Sequence, residues 1–290
     1  MKMVSGAWAM SIAMAALLCG TTPAPAGPST PSLGNNIDSE IGLVAHKAEY
    51  TMSLNSTRGS GGVTGAAGKM SYRFADTCDG WTVENKTAVT FAYSDGAPVA
   101  TTWDYVTWES KDGLRFRFRV RSTRDGAVNE EFAGSAQLDG RGKGGTVKYT
   151  LPQAKTMSLA AGTIFPTEHT VRLIEAAQKG GHLLAKTVFD GTDDTGPFNV
   201  TGVVTHLTPA NSNSDPALTK AGVNPSLLTA PSWFMRLAFF PVGSSDAEPD
   251  YEIGLRYYLN GIADDMIQGY GDFSLKATLD SLQPLPKPDC

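Results

Sequence analysis

Histidines and clustered aspartates are the residues of this 290-residue chain whose types suggest chemistry. His169 follows Glu168 and has the character of a general base, while Asp190, Asp193 and Asp194 carry the oxygen ligands that calcium prefers. The sequence contains no G-x-S-x-G, H-E-x-x-H or P-loop motif, and the aspartates lack the EF-hand order. We therefore predict a protein that is not an enzyme and uses no cofactor or metal. His169 should make a hydrogen bond at a helix start, and Asp190 should begin a solvent-exposed Asp-Gly hairpin.

The N-terminus has the features of an export signal. Lys2 supplies a positive charge, residues 7–18 form a short apolar run, and residues 24–26 match an A-x-A cleavage site. The apolar run is shorter than the ~20 residues that span a bilayer, so we expect residues 1–26 to be a cleaved signal and no transmembrane segment to remain. Residues 27–40 are polar and proline-containing, which predicts a flexible leader.

Cleavage changes the cysteine count. It removes Cys19, whose lipidation is disfavoured because Leu18 stands where lipobox sequences carry a small residue. Cys78 and Cys290 remain, in a compartment where disulfides persist. A redox or zinc site is the less favoured alternative, since neither cysteine has a CxxC neighbour or a histidine at ligand spacing. We predict one structural disulfide.

A row of alternating arginines is a local exception in a chain of formal net charge −5. The row consists of Arg115, Arg117, Arg119 and Arg121. One interpretation is an ordinary solvated strand face that pairs with carboxylates such as Glu130 and Glu131. The other is a binding surface for anionic lipid head groups or an acidic protein. The overall negative charge disfavours nucleic acid as a partner.

Strict alternation of apolar and polar residues recurs along the chain and predicts an all-β protein. Phe116, Phe118 and Val120, between the arginines, are the best example. Asp-Gly pairs separate the alternating runs at the spacing of antiparallel hairpins. These pairs begin at Asp79, Asp95, Asp112, Asp125, Asp139 and Asp190. We expect a single domain over residues 41–290, with no repeat and no linker.

One segment reads as a helix, from about Thr167 to Lys179. Thr167 is its predicted cap, Leu173 belongs to its apolar stripe, and the Gly180-Gly181 pair ends it. A sheet with one helix should wrap around that helix. The polar stretch 209–231 predicts a loop. The apolar residues within 233–240 are expected in the core, with a cavity lining or a partner contact as the alternatives.

Several sequence blocks together resemble the cell envelope integrity protein EipB family of secreted alphaproteobacterial proteins. The matching blocks are His46–Tyr50, Gly68–Tyr72, Asp76–Trp81, Gly162–His169, Phe189–Gly191 and the terminal Cys290. They extend over almost the whole chain from about residue 43. The Cys-Asp-Gly-Trp and Thr-Ile-Phe-Pro-Thr-Glu-His sequences are the most specific of them.

The resemblance implies properties that the residue patterns alone do not. It implies a periplasmic, non-catalytic protein in which an antiparallel sheet spirals around a helix, similar to LolA, LolB and the RseB sensor domain. It also implies a disulfide between Cys78 and Cys290, a role in envelope integrity under stress, and a tetratricopeptide-repeat partner. The stretch 209–231 matches no block of the family.

Two functions outrank an enzyme: an interaction module for another periplasmic protein, and a carrier that holds an acyl chain or lipoprotein in the concave sheet. The interior distinguishes them. A core closed by Phe91, Phe116, Phe118 and the helix leaves no room, whereas a carrier needs an apolar pocket of about 300 Å³ or more.

Overall fold

The computed structural model describes residues 41–58, 62–214 and 216–290. Within these residues the chain forms one 14-stranded antiparallel sheet and one α-helix. The prediction of an all-β fold is confirmed. The predicted signal 1–26 and leader 27–40 lie outside the described residues. Among the described residues, no helix is long and apolar enough to cross a membrane.

The elements follow one another along the chain in a simple order. They are β1 (His46–Thr57), β2 (Val63–Asp76), β3 (Gly80–Tyr93), β4 (Val99–Ser110), β5 (Arg115–Arg124), β6 (Ala127–Leu138), β7 (Gly145–Leu151), β8 (Lys155–Leu159), α1 (Pro166–Gln178), β9 (Leu183–Val188), β10 (Phe198–Thr208), β11 (Ser232–Pro241), β12 (Tyr251–Tyr258), β13 (Ala263–Gly269) and β14 (Phe273–Pro284). Between β10 and β11 lie two short 3-10 helices, Pro216–Thr219 and Pro225–Leu228.

The order of strands in the sheet is β8-β7-β6-β5-β4-β3-β2-β1-β14-β13-β12-β11-β10-β9. The first and last strands of the chain are therefore neighbours in the middle of the sheet, and β8 and β9 are its edges. The chain crosses from one edge to the other through α1. Tyr149 of β7 donates a hydrogen bond to the Asp193 carbonyl at 3.0 Å, and Lys155 of β8 lies 3.6 Å from the Asp194 carboxylate. These contacts bring the two edges of the curled sheet together.

The turn residues explain the meander from β2 to β7. Five Asp-Gly pairs fall at the five successive hairpins, as predicted. Gly113 and Gly126 have φ values of +69° and +81°, a region that glycine occupies without a steric penalty. On β5 the apolar side chains are buried and the arginines are exposed, which confirms the predicted alternation.

The helix is confirmed, but its predicted cap is wrong. It begins at Pro166, and Thr167 makes no side-chain cap. Instead, both carboxylate oxygens of Glu109 on β4 accept the first-turn N–H groups of Thr167 and Glu168, at 2.7 and 2.9 Å. A negative charge at this end complements the helix dipole. Leu173 is fully buried, as expected.

Three clusters of apolar side chains fill the interior. One centres on β1, β2 and β14, a second joins α1 to β9–β12, and a third joins β5–β7 to Phe165 and Phe189 on either side of the helix. The described residues of the stretch 209–231 form no strand, but the stretch is anchored. Val223 and Leu228 are buried in the first cluster, and Asn213 accepts a hydrogen bond from Arg256 at 3.0 Å.

Candidate functional site

A cavity of about 290 Å³ lies inside the curled sheet. Strands β2, β3 and β4 form one wall, β11 and β12 form the opposite wall, and the first turn of α1 closes one side. Most of its lining is apolar or aromatic. The apolar lining residues are Leu43, Phe74, Val83, Pro166, Val188, Leu237, Phe239, Ile253 and Leu255. The predicted core or cavity segment 233–240 thus contributes Leu237 and Phe239 to this wall.

Four tyrosines contribute both aromatic surface and hydroxyl groups to the lining. Tyr72, Tyr105, Tyr251 and Tyr257 project inward from three strands. Tyr105 donates to the Asp190 carbonyl at 2.8 Å. Burial raises the pKa of all four phenols, so that each stays a neutral hydroxyl. The wall is therefore apolar over most of its area and carries hydroxyls at a few fixed points.

Asp190 is a buried carboxyl at one side of the cavity, and the expectation of a solvent-exposed Asp-Gly hairpin is wrong there. It accepts hydrogen bonds from the backbone N–H and hydroxyl of Thr192, at 3.0 and 2.8 Å, and from the Tyr251 hydroxyl at 3.4 Å. Burial nevertheless raises the pKa of Asp190 to about 6. Among the described residues, no group of three or more histidines, cysteines, aspartates and glutamates is arranged to hold a metal ion.

His169 lines the cavity from the first turn of α1, a position fixed by the Glu109 contacts at the helix start. Its side chain was expected to make a helix-start hydrogen bond, yet its Nε2 atom is buried without a partner. Only 6% of the residue is exposed. Burial lowers the pKa of the imidazole to about 4, so the ring is neutral near pH 7. A buried nitrogen without a partner costs free energy, which makes His169 the unusual group of this cavity.

The segment before β1 borders the cavity. Leu43 and Thr167 line both the cavity and a neighbouring surface groove that includes Trp81 and Lys111. Val44 donates a backbone hydrogen bond to Asn260, which fixes the segment against the turn after β12. Leu43 therefore lies between the cavity and this groove.

The arginine row lies on the outer face of the sheet, and all four arginines are exposed. Arg119 pairs with Glu131 at 2.5 Å, in line with the ordinary-surface interpretation. Arg115 and Arg117 instead lie over the Trp108 ring, 5.4 and 5.0 Å from its centroid. Neither of these two has an ion-pair partner within the described part of the chain. Within the arginine row, Arg119 thus forms an ion pair, whereas Arg115 and Arg117 stack on an aromatic ring.

Cys78 and Cys290 form a disulfide, with Cα atoms 5.8 Å apart and a sequence separation of 212. Cys78 lies in the turn between β2 and β3, two strands that line the cavity. The bond ties the C-terminal segment after β14 to that turn.

The sequence left open whether residues 233–240 line a cavity, and it named His169 and Asp190 only as candidates for other chemistry. The one available signal was the tyrosines at inward strand positions, since a phenol in a core needs a partner for its hydroxyl. That signal does not reveal which tyrosines face one another.

Fold and cavity together define an all-β, barrel-like protein with an internal cavity. The EipB-like family model matches residues 37–286, and the chain belongs to this family. The resemblance found in the sequence is thereby confirmed.

Two relatives are consistent with this assignment. The chain is 31% identical over 244 residues to the cell envelope integrity protein EipB of Brucella abortus (strain 2308), covering 83% of this chain and 84% of the relative. It is also similar to a crystal structure described as a β-barrel-like protein of a domain of unknown function from Brucella abortus. That match has a TM-score of 0.77 and 29% identity, and covers 85% of this chain and 100% of that one.

Proposed function

We propose that this protein is an exported, periplasmic and non-catalytic protein that helps to maintain the cell envelope by binding another protein. The name of the Brucella abortus relative supports the envelope role. The sequence pattern of residues 1–26 supports export, with 27–40 as a leader to the single domain 41–290. Resistance to envelope stress and a sheet that spirals around its helix, as in LolA, LolB and RseB, belong to the same proposal.

The observation that carries the binding proposal is the outer arginine face. The exposed Arg115 and Arg117 lie over the half-buried ring of Trp108 and form with it a cationic and aromatic patch on an otherwise acidic protein. Arginine and tryptophan are enriched where proteins bind one another tightly. An acidic surface of a periplasmic tetratricopeptide-repeat protein is the partner that we propose for this patch.

Charge reversal tests the patch. We expect Arg117→Glu combined with Arg119→Glu to leave the melting temperature nearly unchanged, because both side chains are exposed. Capture of the purified repeat protein should weaken by more than tenfold, and salt should weaken wild-type capture in the same way through screening. The same variant should fail to restore growth under envelope stress in a strain that lacks the gene.

The matched control reverses Lys47 and Lys69, two exposed cations on the same outer face at β1 and β2. It makes the same change in net charge at a distant position, so we expect capture to remain at the wild-type level. Equal capture by all three proteins would refute a role for the arginine face.

The second candidate is a carrier of an acyl chain or lipoprotein, and the cavity of about 290 Å³ favours it. Its volume is just below the range of small-molecule sites, which begins at about 300 Å³. Phe116 and Phe118 fill the interior in one region, whereas the cavity leaves space in another. A closed core in one region therefore does not argue against a pocket in the other. Mass spectrometry of protein extracted from its native periplasm tests this candidate: a stoichiometric lipid supports it, and repeated absence argues against it.

A further inference from the structure

A tryptophan on the inner face of the sheet lies outside the hydrophobic core. Trp103 on β4 points to the same side as Tyr105, two residues later, because side chains alternate along a strand. Tyr105 lines the cavity, whereas Trp103 belongs to none of the three apolar clusters of the described residues. Its indole is half-buried, and the indole N–H has no hydrogen-bond partner in the described part of the chain. That nitrogen is not one of the enclosed unpartnered atoms, so solvent reaches it.

Trp103 lines an open groove of about 280 Å³. The lining residues that the structure describes all belong to four adjacent strands, β3–β6, and none of them comes from the opposite wall of the curled sheet. The cross-strand neighbours of Trp103 are short and hydroxylated: Thr87 on β3 and Ser122 on β5. Core positions usually hold apolar side chains. The indole therefore stands in a polar recess that opens to solvent.

Three longer polar side chains line the groove at its β5–β6 end. Asn129 donates a long hydrogen bond to the Ser122 hydroxyl at 3.4 Å. Arg124 and Glu130 are exposed, and neither forms an ion pair within the residues that the structure describes. These side chains supply N–H donors and carboxylate acceptors. Because they carry one charge of each sign, the groove has no net charge.

One aromatic ring among hydroxyl, amide and charged groups fits a sugar. A pyranose ring has an apolar face of C–H groups that packs on an aromatic ring, and hydroxyls at its edge that both donate and accept hydrogen bonds. An acyl chain would take water from the polar groups of this groove without replacing their hydrogen bonds, which is costly. Proline-rich peptides dock in grooves lined by aromatic side chains, whereas Trp103 is the one aromatic residue among the described lining residues here.

We propose that this groove binds a neutral glycan chain, with a sugar ring packed on Trp103 and its hydroxyls bonded to Arg124, Asn129 and Glu130. A polyanionic glycan would gain no attraction from a groove without net charge and would be repelled by a chain of net charge −5. The groove lies beside the cavity, on the face of the sheet opposite the arginine row. The inference is therefore independent of the arginine-face proposal and of the carrier candidate.

Two neutral tetrasaccharides serve as probes: cellotetraose and the tetramer of N-acetylglucosamine. Each is titrated into the full-length exported protein at pH 7, with calorimetry and tryptophan fluorescence as the readouts. We expect at least one of them to bind with a dissociation constant of about 1 mM or lower and to change the fluorescence. Sorbitol offers hydroxyls without a ring, and acetylated tetraproline amide offers a peptide without a sugar, so neither should bind.

Substitutions at the groove test the location. Trp103→Thr removes the ring and should weaken binding of the tetrasaccharide at least tenfold, whereas Trp103→Tyr keeps an aromatic ring and should stay within about threefold of the wild type. Asn129→Ala changes an exposed side chain and should weaken binding severalfold. Val106→Thr is the matched control, because Val106 is exposed on the other face of the same strand, and this variant should bind normally. Thermal melting shows that each variant is folded before its affinity is interpreted.

Each result supports or overturns the inference. Loss of sugar binding in Trp103→Thr, with binding retained in Trp103→Tyr and Val106→Thr, supports it. Failure of both tetrasaccharides to bind overturns it and leaves the two candidates of the proposed function untouched. Sugar binding that neither Trp103→Thr nor Asn129→Ala weakens places the ligand elsewhere and also overturns it. Binding of the proline peptide in place of the sugars overturns it in favour of a peptide groove.

Discussion

Two parts of the interior are built from the same kind of strand, yet side chains fill the space in one and leave a cavity in the other. Around β5–β7, Phe116, Phe118, Phe165 and Phe189 pack ring against ring, with centroids 5.0 Å apart for Phe116 and Phe165. Between β2–β4 and β11–β12, tyrosines take the inward positions and a cavity of about 290 Å³ remains. The two regions thus differ in how many phenolic oxygens they carry: Tyr149 is the tyrosine of the filled cluster, whereas four tyrosines line the cavity beside Phe74 and Phe239.

The phenolic oxygen of a buried tyrosine restricts how its ring can pack. A phenylalanine ring packs in any direction that the neighbouring rings allow, whereas a buried tyrosine must also place its hydroxyl near a partner. Tyr105 meets this demand at the Asp190 carbonyl and Tyr50, outside the cavity lining, at the Ala263 carbonyl. In the filled region Tyr149 meets the same demand at the Asp193 carbonyl, so the two regions differ in the number of hydroxyls that must be placed.

Truncation in the filled region should have the largest effect on stability. Phe116 is 1% exposed and contacts Phe118, Phe165 and Phe189. We expect Phe116→Ala to lower the free energy of unfolding by about 3–5 kcal/mol, because it removes buried area and leaves a void. Urea unfolding measures this loss. A loss below about 1 kcal/mol would mean that the region is not close-packed.

The disulfide should have the next largest effect, because it holds the turn between two cavity-lining strands. We expect Cys78→Ser to lower the free energy of unfolding by about 2–4 kcal/mol, and reductant to do the same to the wild type. Protease digestion should release the segment after β14 sooner in the variant. Equal digestion of both proteins, with two free thiols in the wild type by mass spectrometry, would contradict the tether.

Exchanging the phenolic oxygen tests the comparison itself. The Cζ atom of Phe118 lies 2.7 Å from where a Cβ of Gly134 would stand, so an added hydroxyl in Phe118→Tyr has little room. We expect that variant to lose about 1–3 kcal/mol of unfolding free energy. Tyr105→Phe, which gives up one hydrogen bond beside a cavity, should lose about 1 kcal/mol. Equal losses in urea unfolding would show that the two regions tolerate the oxygen alike.

The smallest expected effect is a change in the pH dependence of the unfolding free energy when Glu109 is replaced. Glu109 holds the first turn of α1, which lines the cavity. Burial raises the pKa of Glu109 from 4.5 to about 7 in the folded protein. The folded state therefore holds more protons than the unfolded state between these values, and Glu109 makes stability fall as pH rises from about 4.5 to about 7. Relative to the wild type, Glu109→Gln should gain stability over that range, as measured by urea unfolding at pH 5 and pH 8.

The other titrating groups are common to both proteins, so they cancel in the difference between Glu109→Gln and the wild type. His169 has a lowered pKa and acts in the opposite direction, which is why the wild-type profile alone does not isolate Glu109. An identical pH dependence in the two proteins would mean that Glu109 is not protonated preferentially in the folded state.

Local patterns in the sequence determined the elements of this fold. Alternation on β5 and the Asp-Gly pairs predicted strands and hairpins, because side-chain direction in a strand and the backbone at a tight turn depend on neighbouring residues alone. The helix followed from its apolar stripe. The family followed from short blocks whose order is itself a property of the sequence.

Contacts between residues distant in sequence decided the rest. Glu109 caps a helix that begins more than fifty positions later, and a local rule pointed to Thr167 instead. Asp190 is buried because the connection after β9 meets β4 and β12, which no Asp-Gly pattern encodes. The cavity is a space left between two walls, and its existence depends on how their side chains meet. Sequence periodicity specifies which side chains point inward, but only the curvature of the sheet determines which of them touch.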